Sequence, residues 1–195
     1  MAGGRPGREH RDVFDVDQLV ADCRAARGED EPRLAVREVL RRVLIRPDEV
    51  ASVLDPREGG LTVLHGDDDV TVIHVVWPPG MTIYPHDHRM WAVIGIYSGR
   101  EDNAFYRRSG PGSRALDESG GKVLTTGDVA VLGDDTIHGV TNPRGRLTGA
   151  IHVYGGDFVN EPRSQWGPGE RLERPFDLEQ ARQQFAAANA AWRGI

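Results

Sequence analysis

The sequence predicts a mainly β domain, a small barrel or sandwich with helices at both ends. Three observations predict it. Short β-branched runs recur from about residue 50 to 155, each closed by a turn signal. The 195 residues include 24 glycines and 12 prolines with no G-x-y period, which excludes collagen and points to many tight turns. Apolar residues at helical spacing are confined to the two ends of the chain. This length gives room for one domain with a single core.

In chain order, residues 1–12 are rich in Gly, Arg and Pro and are expected to be disordered. Residues 13–195 read as a single domain, with helices over 15–46, a barrel over about 50–170 and a C-terminal helix over about 177–192. The first helix opens near Asp15 or Asp17 and carries Leu19, Val20 and Cys23. The second takes Pro32 into its first turn, where a missing N–H does no harm, and stops before Pro47. Strands are expected over Leu61–Leu64, Val70–Trp77, Trp91–Tyr97, Val123–Leu124, Val129–Leu132 and Gly149–Tyr154. Asp177 caps the last helix, whose face of Leu178, Ala181, Phe185, Ala188 and Trp192 is expected merely to pack on the barrel.

Composition excludes several classes of function. With 24 Lys+Arg against 30 Asp+Glu the formal charge is −6, which argues against nucleic acid as a partner. The start has no apolar signal segment, and the apolar-rich stretch Val70–Trp77 is too short to span a bilayer. A cytoplasmic protein with no membrane partner is the expectation. The single cysteine, Cys23, rules out an internal disulfide, a Cys-x-x-Cys pair and a Cys-based zinc site.

The chemistry is carried by histidine. His86 and His88 stand two apart, and on a strand such positions point to the same side. His138 follows a tight turn, and an imidazole arriving from a neighbouring strand would complete a three-nitrogen face with open positions on a metal. His10, His65 and His74 read as surface or core residues.

The frame Gly80-x5-His86-x-His88, Gly99, Gly127-x5-Gly133-x-Asp135-x2-His138-x3-Asn142 resembles the two motifs of the cupin superfamily, jelly-roll-like double-stranded β-helix barrels that hold a metal. Gly133 and Asp135 stand where many cupins carry proline and glycine, and Ala92 and Val93 stand where the acidic ligand belongs. With no protein carboxylate, such a centre keeps its full charge and favours an anionic ligand such as a thiolate.

Loss of that acidic ligand is similar to the thiol dioxygenases of the superfamily. Trp91–Gly99 with Glu101 and Phe105–Tyr106, Ala150–Asp157 and Pro162–Trp166 look like the bacterial cysteine and 3-mercaptopropionate dioxygenases. The resemblance implies iron(II) on His86, His88 and His138, with a small thiol and O2 as partners and a sulfinate as product. It places the family's Ser-x-His-x-Tyr triad on Ala150, His152 and Tyr154, so that either water or another residue orients His152 or this branch handles substrate differently. It assigns Arg163 to the substrate carboxylate, which a guanidinium fork grips in bidentate fashion; Arg89 is the other candidate. Cysteine, 3-mercaptopropionate and mercaptosuccinate all suit a pocket with one cation. A second reading is a zinc or nickel hydrolase or lyase, or an iron dioxygenase acting on carbon, since three histidines also suit zinc, and a non-catalytic cupin holding a small anion is a third reading. The sequence sets no oligomeric state and leaves Trp166 to a lid or an interface.

Overall fold

A computed structural model describes residues 13–167 and 172–194. The expected disorder of residues 1–12, His10 and the barrel's expected end at 168–170 lie outside the described residues.

Helix α1 (Val16–Arg27) opens on Asp15, whose carboxylate accepts the Gln18 N–H at 2.8 Å. Helix α2 (Pro32–Val43) begins on its proline, as expected. A third helix, α3 (Pro47–Leu54), occupies the stretch where the sequence reading starts the barrel. Pro47 ends one helix and opens the next, because its fixed φ suits a first turn; Asp48 and Glu49 then sit against the positive end of the helix dipole.

The barrel is built from eleven strands: β1 (Gly60–Gly66), β2 (Thr71–Trp77), β3 (Thr82–His86), β4 (Ala92–Ser98), β5 (Arg100–Arg108), β6 (Leu116–Thr125), β7 (Val129–Leu132), β8 (Ile137–Thr141), β9 (Thr148–Tyr154), β10 (Ser164–Trp166) and β11 (Glu173–Pro175). One antiparallel sheet runs β1-β2-β9-β4-β7 and the other β11-β10-β3-β8-β5-β6. From β2 to β9 consecutive strands alternate between the two sheets, apart from the β5–β6 pair, giving the expected jelly-roll-like double-stranded β-helix.

Strands β2 and β9 are buried along their whole length. Their alternate residues serve two cores. Ile73, Ala92, Ile94, Ala150 and Tyr154 face the barrel interior. Val72, Val93, Ile151 and Val153 face outward and are covered by Leu19, Val36 and Leu40 of α1 and α2. A sheet covered on both faces loses polar alternation, so these strands read as continuous apolar runs. Cys23 lies in this outer core, its thiol pushed up to about 12 by burial.

Strand β5 shows the opposite pattern. Its Arg-Glu-Asp-Asn start carries no apolar residue, yet Glu101 and Asn103 alternate inward and are buried. Trp166, expected in a lid or an interface, is fully buried beside Leu116 and Ile137, and its indole N–H donates to the Arg114 carbonyl at 3.0 Å. Helix α4 (Leu178–Arg193) is capped by Asp177 as expected, and Phe185 stacks on Trp77 with ring centroids 5.3 Å apart. No helix among the described residues is long and apolar enough to cross a membrane.

Gly99 joins β4 to β5 at φ +88°, and a Cβ there would lie 2.4 Å from Thr148 Oγ1. That hydroxyl accepts the Arg100 N–H and donates to the Arg100 carbonyl, each at 2.9 Å. Gly99→Ala should therefore lose about 1–3 kcal/mol in urea denaturation, from backbone strain and from the displaced threonine. An unchanged midpoint would show that the turn relaxes freely.

Candidate metal centre

Neighbouring strands β3 and β8 of one sheet, with the loop after β3, bring His86, His88 and His138 together, and their ligand nitrogens lie within 4.8 Å of one another. His86 ends β3 and pairs in register with His138 on β8. His88 lies beyond the end of β3, in the loop that follows, rather than on the strand the sequence reading assumed. Asp87 positions that loop. Its backbone N–H donates to the Ser164 carbonyl at 3.1 Å, and its carboxylate accepts the Ser164 N–H at 2.7 Å. Arg89, at φ +59°, turns the chain away and pairs with Asp87 at 3.0 Å. Arg89 is thereby committed to the outer surface, which disfavours it as the substrate cation.

All three imidazoles are buried, at 7%, 1% and 1% exposure for His86, His88 and His138. Burial holds His86 at about 4 and His88 and His138 well below their ordinary value, so each is a neutral donor at neutral pH. Two tautomers are fixed by neighbours. The Tyr84 carbonyl accepts from His86 Nδ1 at 2.9 Å, and the Asn103 side-chain carbonyl accepts from His138 Nδ1 at 2.7 Å. Both Nε2 lone pairs are therefore free to bind. His138 Nε2 and His88 Nε2 stand 3.2 Å apart. Two donors at that spacing subtend about 100° at an ion about 2.1 Å from each, a normal angle for a first-row divalent cation. His88 Nδ1 is buried with no partner. The donor set, its tautomers and its spacing fit a divalent transition metal.

His152 and Tyr154, adjacent inward positions on β9, line the same cavity as His86 and His138. The Tyr154 ring meets His88 edge-on at 5.0 Å and stacks on Phe158 at 4.0 Å. Burial raises the Tyr154 hydroxyl pKa, so it stays protonated. The cavity holds about 30 Å³, space for a water or two, and its remaining wall is mostly apolar: Leu61, Trp77, Phe158, Phe176, Leu178 and Phe185 among others. Helix α4 therefore does more than pack on the barrel, because it closes the cavity.

Arg163 does not line that cavity. It lies behind it, with the guanidinium between the rings of Phe158 at 4.0 Å and Phe176 at 4.1 Å, and both rings do line it. Its Nη1 donates to the Phe158 carbonyl at 2.5 Å, while Nε and Nη2 are buried with no partner. His74 and His65 take structural roles: His74 bonds the Tyr97 hydroxyl at 2.7 Å and His65 bonds Asp67 at 2.8 Å.

The sequence reading gave no role to two residues the structure places at the centre. Glu101 is fully buried, and its carboxylate accepts from Trp77 Nε1 at 2.7 Å and from Asn103 Nδ2 at 2.9 Å. Asn103 can therefore face His138 only with its carbonyl. No carboxylate belongs to the histidine cluster, and that of Glu101 stands a single side chain behind His138. The alternation Glu101-x-Asn103 directly after Gly99 was the available signal.

No protein-family model matches the chain. Solved structures similar to it include an RmlC-like cupin protein with a double-stranded β-helix fold from Methanocaldococcus jannaschii, 12% identical over 53% of this chain and 85% of that one, at a TM-score of 0.44. A cupin superfamily protein from Desulfitobacterium hafniense is 16% identical over 55% of this chain and 88% of that one, at 0.43. An oxalate oxidase solved with the substrate analogue glycolate is 18% identical over 52% of each chain, so this chain spans about half of it, at 0.40. These overlaps are weak, and the barrel is defined by its own strand pairing.

Two predictions follow from the buried imidazoles. Asn103→Leu removes the acceptor that fixes His138, and divalent metal affinity should fall about 10- to 100-fold in a chelator-competition titration, with the circular dichroism unchanged. His74 and His86 are both held at about 4 against an ordinary 6.5. Below 6.5 the unfolded chain takes up protons that the folded chain refuses until about 4. Stability of the metal-free protein should thus be complete above pH 6.5 and fall steadily toward pH 4. Melting temperatures that stay flat across that window would contradict it.

Proposed function

We propose that this protein is a cupin metalloenzyme, an iron(II)-dependent dioxygenase that converts a small carboxylate-bearing thiol of the 3-mercaptopropionate or cysteine type to its sulfinate. The observation that carries the proposal is a cluster of three neutral imidazoles, with no carboxylate among the ligands, beside the His152–Tyr154 pair. A cation held only by neutral donors retains its attraction for an anionic sulfur.

Iron(II) on His86, His88 and His138 would supply the redox chemistry by which both atoms of O2 pass to sulfur. The remaining work falls to the chain. Tyr154, kept protonated by burial and bonded to His152 Nδ1 at 3.0 Å, turns the lone pairs of its hydroxyl oxygen to the cavity, where they can accept from a reactant S–H or O–H. Arg163 supplies the cation for the carboxylate: its unpaired Nε and Nη2 form one edge of the guanidinium, the edge that grips a carboxylate in bidentate fashion. Phe158 and Phe176 hold that edge in place and keep water away from it. Because about 30 Å³ does not admit a thiol, entry requires the Phe176 and α4 wall to yield, which limits the substrate to a small molecule.

Oxygen uptake by the iron(II)-loaded protein should respond to 3-mercaptopropionate or cysteine and be abolished in His86→Ala. No turnover of any thiol by the wild-type protein would overturn the proposal. Zinc as the metal retained on purification, with turnover in the absence of oxygen, would move the protein to hydrolase or lyase chemistry. Arg163→Ala should raise KM for an acidic thiol by about 10- to 100-fold, the weight of a charged hydrogen bond, and leave that for cysteamine nearly unchanged. Equal effects on both would remove Arg163 from substrate binding.

A further inference from the structure

The Ala150 side chain has no polar group, so the orientation of His152 must be set by another residue. One ring nitrogen, Nδ1, lies 3.0 Å from the Tyr154 hydroxyl. The other, Nε2, is buried with no hydrogen-bond partner, and the Glu101 carboxylate stands 3.5 Å from it. Glu101 is fully enclosed, and both its oxygens are fixed by the Trp77 indole and the Asn103 amide. The oxygen that Trp77 holds, Oε2, is the one nearer His152.

Only one tautomer avoids setting a lone pair of His152 against a carboxylate in a dry interior, where such an opposition is costly. That tautomer carries its proton on Nε2. Nδ1 is then an acceptor, the Tyr154 hydroxyl donates to it, and the lone pairs of the tyrosine oxygen are left for the cavity. The same carboxylate fixes the Asn103 amide, which in turn keeps the His138 proton on Nδ1.

We infer that Glu101 is a positioning residue that takes over the role of the missing hydroxyl at Ala150, holding His152 as the Nε2–H tautomer across the barrel while its other oxygen, through Asn103, orients His138. The chain Glu101–His152–Tyr154 is a carboxylate–imidazole–hydroxyl series, in which the carboxylate orients the ring and the ring accepts from the hydroxyl. The inference extends the metalloenzyme reading above, but its readout does not depend on turnover.

The test is a long-range 1H–15N correlation spectrum of the imidazoles in the 15N-labelled, metal-free full chain at pH 7.5. His152, assigned by its loss in His152→Gln, should show its proton on Nε2. In Glu101→Gln a side-chain NH2 must face either Trp77 or Asn103: in the first case the His152 pattern should shift toward Nδ1–H, and in the second Asn103 loses its acceptor and Zn2+ affinity should drop about 10- to 100-fold. Glu101→Asp keeps the charge and should keep the Nε2–H pattern. A wild-type His152 protonated on Nδ1, or a Glu101→Gln protein in which both the His152 pattern and Zn2+ affinity are unchanged, would overturn the inference. Should Glu101→Gln fail to fold, the wild-type and Glu101→Asp spectra decide. Failure of every thiol in oxygen uptake would sink the proposed reaction and leave this result standing.

Discussion

Everything in this molecule depends on keeping three imidazoles neutral and facing one point in a space closed to water. Neutrality comes from burial, which makes protonation of each ring expensive. Direction comes from acceptors behind the rings, the Tyr84 carbonyl for His86 and the Asn103 amide for His138. A lone pair can serve a metal only when the proton is held on the opposite nitrogen, so these acceptors matter as much as the ligands they face.

The barrel meets that requirement by dividing the task between its sheets. The sheet containing β3, β8 and β5 carries two of the histidines and the Glu101–Asn103 support. The sheet containing β2, β9 and β4 faces it with Trp77, His152 and Tyr154. The outer faces of β2, β4 and β9 are spent on α1 and α2, which fix the sheet in place. On the open side, α4 and the aromatic pair Phe158 and Phe176 finish the wall and grip Arg163. The N-terminal helices thus stabilise the scaffold, whereas the C-terminal helix belongs to the site.

The strands that pack on both faces were legible in the sequence, since Val70–Trp77 and Gly149–Tyr154 are apolar throughout. Those that carry the chemistry were not. Strand β5 places charged and amide residues inward, and β3 is short and contains Pro85, so neither follows an apolar pattern. Helix α3 escaped because Pro47 was read only as a stop. At the site, His86, His88 and His138 were legible from spacing. Glu101 stood in view with no role, because a buried carboxylate has meaning only once its partners are known.

The sequence by itself determined the mainly β class, the helix cap at Asp177, the histidines that meet, and the pairing of His152 with Tyr154 on one strand. Those are local facts, set by spacing and by residues within a few positions of one another. Only the tertiary structure decided that Glu101 stands between Trp77, Asn103 and His152, that α4 closes the cavity, and that Arg163 lies between two rings behind it. Each of these joins segments far apart in the chain, and the low dielectric that gives them their force exists only after the barrel has closed around them.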